Sequence, residues 1–225
     1  EVDALEAEGV ERSEAVMTVV RKFITDAKDI MFEGNGYSKE WEIESAARGL
    51  RAVKNVPEAF EVYHEAQTVE LFEKLGVLAK NEIEARFEIF NETYVKKLQI
   101  EARIIGDICL NHVIPAAVRY QNVLIENVKG IKDIFGEGYL DFCSAEIETL
   151  KKISNYINSV SVDVDALVNA RKKANVIEDI AVRAKIYSHE VKGMMDKVRE
   201  SVDNLEMLID DEMWTLPKYR ELLFF

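Results

Sequence analysis

The chain has 225 residues, 48% of them apolar and 32% charged, with a formal net charge of −13. That length suits one large domain, or one domain with part of another, and the apolar share predicts a sizeable core. So acidic a chain argues against a nucleic-acid binder or an anionic-membrane binder, and its ten glycines and three prolines are too few for a β-sandwich, a barrel or a disordered tail.

Helical periodicity runs along nearly the whole chain. From Ser13 to Met31, the residues Val16, Val19, Val20, Phe23, Ile24, Ala27 and Ile30 form one stripe. The stripe stops at "EGNGYS", where glycines permit a turn. Ser38 is placed to cap a short helix holding Trp41 and Ile43, which Gly49 ends. A further helical stretch starts at Pro57, a residue suited to a first turn, and ends at Gly76.

The segment "NEIE", residues 81 to 84, reads as a capping box that opens a long helix reaching at least Asn111. Its stripe of Ile83, Phe87, Phe90, Tyr94, Leu98, Ile105 and Ile108 is widened by Ile89, Ile100 and Ile104. That width predicts a central helix with several neighbours. The pattern resumes after Pro115 and fades at "FGEGY". Beyond it, Leu150 to Leu167 and Ile177 to Leu208 carry two long apolar repeats, with Asn175 expected to cap the second. These read as two antiparallel helices. The predicted fold class is therefore all-α: a multi-helix bundle with a long antiparallel helical hairpin on the C-terminal side.

Charged residues interrupt the most apolar stretch, "IEARIIGDICLNHVIPAAVRYQN". Arg103, Asp107 and Asn111 are four apart and share a helix face, with Glu101 beside the line and His112 next to it. Two readings compete, a carboxylate–arginine site for a charged substrate and a buried polar brace between helices. No nucleophile or second close carboxylate pair accompanies the line, so the brace of Glu101, Arg103, Asp107, Asn111 and His112 is preferred. Pro115 removes the helical donor to the carbonyl of Asn111, which predicts a kink near residues 111 to 114, with Asn111 and His112 satisfying the freed backbone. His64, His112 and His189 are too far apart in sequence for a zinc set, and no HExxH occurs.

Cys109 and Cys143 sit among apolar residues and read as buried, reduced thiols. Asp210, Asp211 and Glu212 read as an exposed helix end. The apolar ending that follows predicts a tail docked on its own domain or on a neighbouring subunit, through Trp214, Leu216, Tyr219 and Phe224. No nucleotide-binding glycine loop is present. No catalytic, cofactor-binding or metal-binding residue is assigned. The acidic start "EVDALEAEG" lacks the pattern of a signal peptide, and no apolar run reaches the length of a membrane span, so a cytoplasmic protein without membrane contact is expected.

Several motifs carry a family resemblance. "NGYSKEW", "YVKKLQIEARIIGDICLNHVIPAAVRYQN", "LIENVKGIKDIFG", "ARKKAN" and "DDEMWTLPKYRELLF" resemble, in order, the C-terminal region of type III glutamine synthetases, the large bacterial form of that enzyme. The resemblance covers about Ile30 to Phe225. Residues 1 to 29 match more loosely and look like the helix that ends the catalytic domain. The implied division is 1–33 as the end of an upstream domain and 34–225 as a helical C-terminal domain.

For the parent protein the resemblance implies ATP-dependent ligation of ammonia to glutamate with Mg²⁺ or Mn²⁺, in a double-ring dodecamer. The family's catalytic motifs, of "NRTSPFAF" and "HEVAP" type, do not occur here, so no catalytic residue is carried over. The implied role is a non-catalytic structural and assembly domain, holding no cofactor itself and inactive alone. Its partners would be the rest of the synthetase chain and neighbouring subunits, not nucleic acid or membrane. The residues read without the resemblance leave open a free-standing acidic helical module that binds a protein partner.

Overall fold

The computed structural model describes residues 1–223. Among these there is no strand, and helices follow one another along the chain. Two compact units are present, Glu1–Lys54 and a second from Asn55 onward.

The first unit contains α1 (Val2–Ala7), α2 (Arg12–Asp26) and α3 (Lys39–Ala47). Glu11 caps α2, its carboxylate accepting from the backbone N–H of Ser13 at 2.8 Å. Ser38 caps α3 by accepting from Trp41 N–H at 3.2 Å. At the other end of α3, Gly49 has φ +74°. There Leu50 N–H reaches the Ser45 carbonyl at 2.8 Å and Gly49 N–H the Ala46 carbonyl at 3.1 Å, a Schellman closure that favours glycine.

The boundary between the two compact units falls at Lys54/Asn55. Three contacts tie the first unit together across residues 29–54. Arg48 Nη1 donates to the Met31 carbonyl at 2.6 Å and the Asp29 carbonyl at 3.3 Å. Phe32 packs on Trp41 with ring centroids 4.3 Å apart. Lys54 pairs with Glu42 at 2.8 Å.

The second unit opens with α4 (Val56–Phe60), capped by Asn55 and carrying Pro57 in its first turn, and α5 (Ala66–Lys74). Then comes α6 (Lys80–Ile108). The cap of α6 lies two residues before Asn81: Ala79 N–H donates to the Glu82 carboxylate at 2.8 Å. This reach-back needs only a backbone donor at the cap position, so Ala79 serves and Asn81 lies inside the first turn.

A π-helical turn, Cys109–Val113, joins α6 to α7 (Ile114–Phe135). Ile114 N–H donates to the Cys109 carbonyl, a bond one residue longer than in an α-helix. Where the register changes, one carbonyl loses its helical donor in any case. Pro115, which has no N–H, sits just after this change, so the chain stays helical through the proline instead of breaking.

The hairpin follows. Its first arm is α8 (Leu140–Asn175), with a local break at Cys143 (φ −139°, ψ 25°). The return arm is α9 (Ile180–Ile186), a second π turn at Tyr187–Val191, and α10 (Lys192–Leu208). Asp179, not Asn175, caps α9, accepting from Val182 N–H at 2.9 Å. Asn175 closes α8 and bonds elsewhere.

The core lies where α6, α7 and α10 pack on α8. Ile153, Val160, Val164 and Leu167 of α8 meet Val191, Val198 and Leu205 of the return arm, all 1% exposed or less. Burying such side chains stabilises the fold by about 1.5–3 kcal/mol each before entropy is counted. On α6 the inward seam runs through Leu98, Ala102 and Gly106 into Cys109 and Val113. Ile89, Ile100 and Ile104 lie outside it and are more than half exposed.

Candidate functional site: a polar line, a docked tail and a basic groove

The seam decides where the polar line points. Ala102 and Gly106 take the inward face of α6, and a Cβ added at Gly106 would lie 3.7 Å from Val164 Cγ1. The polar residues around them turn outward: Glu101, Arg103, Asp107, Asn111 and His112 are all exposed. The expected burial of this line is therefore corrected. Asn111 donates its amide to Asp107 Oδ1 at 2.7 Å, so it serves a neighbouring side chain and not a freed backbone group. Arg103 makes no ion pair with Asp107 among the described residues.

The tail folds back on its own unit. Trp214 is 8% exposed and joins the core, with Met213 and Leu216 packed against it. Among the described residues the Trp214 indole N–H has no acceptor. Lys218 closes the end of α10, its ammonium donating to the Glu206 carbonyl at 2.9 Å and the Ile209 carbonyl at 3.1 Å, and pairing with Asp211. A cation at a helix C-terminus also complements the helix dipole. Phe224 lies outside the described residues, as does the side chain of Tyr219.

A second polar constellation lies between α6, α8 and α9. Lys96, Gln99, Asn175 and Arg183 line an open groove of about 420 Å³, together with Glu92, Val95 and Ile180. Glu92 is already paired with Lys96 at 2.9 Å. Arg183 is anchored, its Nε donating to the Ile177 carbonyl at 2.7 Å. Tyr187, fully buried, donates its hydroxyl to Asn175 Oδ1 at 2.7 Å. Burial pushes the Tyr187 phenol above its ordinary range, while the nearby charges of Arg171, Arg183 and Arg103 and the bond to Asn175 act in the opposite sense. Sequence reasoning took Arg103 as a partner for Asp107 and missed this grouping. Its signals were the 3,4 spacing of Lys96, Gln99 and Arg103 and the run "ARKKAN".

A larger groove of about 760 Å³ is acidic, lined by Glu61, Glu84, Glu88, Glu178 and Asp179 around His64, whose ring lies 3.9 Å from that of Phe87. Among the described residues no group of three His, Cys, Asp or Glu side chains is arranged to hold a metal ion. Both cysteines are free and buried; burial pushes the Cys109 thiol up to about 11 and the Cys143 thiol upward too.

The comparison with known proteins now bears on the whole chain. The family model of the glutamine synthetase C-terminal domain matches residues 15–132, which is α2 through most of α7. The chain belongs to that family. Relatives of this glutamine synthetase C-terminal domain include the glutamine synthetase of Bacteroides fragilis (strain YCH46), 41% identical over 224 residues, covering 99% of this chain and 31% of the relative. The glutamine synthetase of Butyrivibrio fibrisolvens is 29% identical over 216 residues, covering 96% of this chain and 30% of its own length. The type-3 glutamine synthetase of Dictyostelium discoideum is 28% identical over 219 residues, covering 95% of this chain and 29% of its own length. The chain thus spans just under a third of the length of these relatives. Their type-3 member agrees with the class that the sequence motifs resemble. Among the described residues no helix is long and apolar enough to cross a membrane.

Proposed function

We propose that this glutamine synthetase C-terminal domain is a non-catalytic assembly element. It packs against the remainder of a longer synthetase chain and against neighbouring subunits of a homo-oligomer, by resemblance a dodecamer, in a bacterial cytoplasm. The parent would ligate ammonia to glutamate with ATP and Mg²⁺ or Mn²⁺. The described residues offer no donor set fitted to a divalent ion, so no step through metal or nucleotide is assigned to them.

The observation that carries this reading is the face of α2. Val16, Met17, Val20, Phe23 and Ile24 are each between 38% and 58% exposed. A contiguous apolar stripe of this kind marks a surface that another body covers. The chain spans less than a third of its relatives, so the rest of such a protein is the body available.

The test is sedimentation velocity on the whole-length protein encoded by the same reading frame, as parent and as the Phe23→Glu/Ile24→Glu variant. A stable oligomer that the variant weakens is the expected result; identical sedimentation of the two would overturn the reading. In parallel, calorimetry of the 225-residue chain with ATP, glutamate and Mg²⁺ should show no saturable binding. Stoichiometric binding with turnover would place the chemistry here after all.

A further inference from the structure

We propose that the groove between α6, α8 and α9 binds a small, multiply charged oxyanion, a phosphate or a polycarboxylate, through Lys96, Arg103, Arg171 and Arg183.

The charge distribution is the first argument. In a chain of net charge −13, Lys96 and Arg183 line this groove, and the charges of Arg171 and Arg103 reach Tyr187, whose hydroxyl bonds the groove's Asn175. The one carboxylate lining it, Glu92, pairs with Lys96 alone. Arg103 and Arg171 have no ion pair among the described residues. Guanidinium charges that all act on one buried phenol, two of them without a counter-ion, favour a multiply charged anion in the groove.

Helix geometry is the second. Lys96, Gln99 and Arg103 follow 3,4 spacing on α6, and Arg171 and Asn175 are four apart on α8, so each set shares one helix face. Arg183 and Tyr187 are four apart along the return arm. Arg103 and Arg171 thus stand one helical turn from the groove-lining Gln99 and Asn175, and guanidinium groups match the fork geometry of carboxylate and phosphate oxygens.

Pre-organisation is the third. Arg183 is held by the Ile177 carbonyl. Asn175 accepts from Tyr187 through Oδ1, which leaves its amide N–H groups available as donors. The groove's volume of about 420 Å³ is that of a small-ligand site and is too small for a folded partner. The surplus of cations over carboxylates favours a di- or trianion over a monocarboxylate. None of this depends on the assembly reading.

The experiment follows thermal unfolding of the 225-residue chain at pH 7.5 in inorganic phosphate, citrate or acetate, with ionic strength held constant by sodium chloride. A saturable rise in Tm with phosphate or citrate, absent with acetate, is expected. The stronger of the two identifies the ligand as a phosphate or a polycarboxylate. The Arg103→Gln/Arg171→Gln variant should move the saturation midpoint at least about tenfold higher, the loss expected when charge-assisted bonds are removed. Arg119→Gln, on an exposed face of α7, should leave it unchanged. As a measurement independent of the variant's folding, the arginine Nε–H resonances of Arg103 and Arg171 in the parent should shift with phosphate. Equal responses to all three anions, an unmoved midpoint in the double variant, or an equal shift from Arg119→Gln would each overturn the proposal.

Discussion

The hydroxyl of Tyr187 donates to Asn175 Oδ1 at 2.7 Å, tying the second π turn to the last residue of α8 across the loop between them. The ring of Tyr187 is fully buried while Asn175 is exposed, so water can replace the lost donor at Asn175. Tyr187→Phe should cost about 0.5–1.5 kcal/mol, the net worth of one hydrogen bond, seen as a lower urea midpoint with an unchanged slope. A much larger loss would mean that the ring itself had moved.

Alkaline pH should weaken the fold through Cys109. Burial raises its folded pKa from the ordinary 9.0 to about 11. A group raised in this way contributes stability that is fully present below pH 9 and is lost as pH climbs toward 11. Two units correspond to about 2–3 kcal/mol. Tyr187, also raised, acts with the same sign. The check is the difference in stability between parent and Cys109→Ala measured from pH 8 to 11, which removes any slope the two share; it should narrow steadily across that window.

Gly106 sits mid-helix, with room for a methyl group against Val164. Gly106→Ala should stabilise the chain by about 0.5–1 kcal/mol through helix propensity. Gly106→Leu should destabilise it by about 1–3 kcal/mol, because α8 would have to move. Equal melting temperatures for the two variants would contradict the close approach of α6 and α8.

In the tail, Trp214→Ala should cost about 3–5 kcal/mol, as for other buried aromatic truncations. Lys218→Met should cost about 1–2 kcal/mol by leaving two carbonyls of the α10 terminus without their donor. Chemical denaturation of each variant reads both values. A tail that could be cut at residue 213 without loss of stability would show that this docking contributes nothing.

Asp107→Ala should change stability by no more than about 0.5 kcal/mol, because its hydrogen bond to Asn111 lies on the surface. A loss of several kcal/mol in the isolated chain would restore the idea of a buried brace.

The all-α class and the hairpin were legible in the sequence because long runs such as Val160, Val164 and Leu167 repeat with little interruption. So were the cap at Ser38, where the side chain itself bonds the helix, and the first-turn place of Pro57. The inward face of α6 was not, because Asn91, Ala102 and Gly106 carry no apolar signal. Ile100 and Ile104 do carry one, yet they face outward, and choosing them tilted the expected stripe and turned Asp107 inward. The basic groove was hidden for another reason: its residues are local neighbours on three helices, and only the packing of α6, α8 and α9 makes them one group.

The π turn at Cys109–Val113 sets a rule about chain length. It holds one residue more than an α-helix would need, so a single deletion among Leu110, Asn111 and His112 would close the turn to α register with α7 still in phase, whereas α geometry forced on all five residues would rotate α7 by roughly 100°. After the deletion Ala117 and Leu124 would keep their place in the core, but Pro115 would fall in an ordinary helix interior. The deletion should therefore be tolerated only where the proline is also replaced. In homologous chains, loss of the extra residue and loss of the proline should occur together.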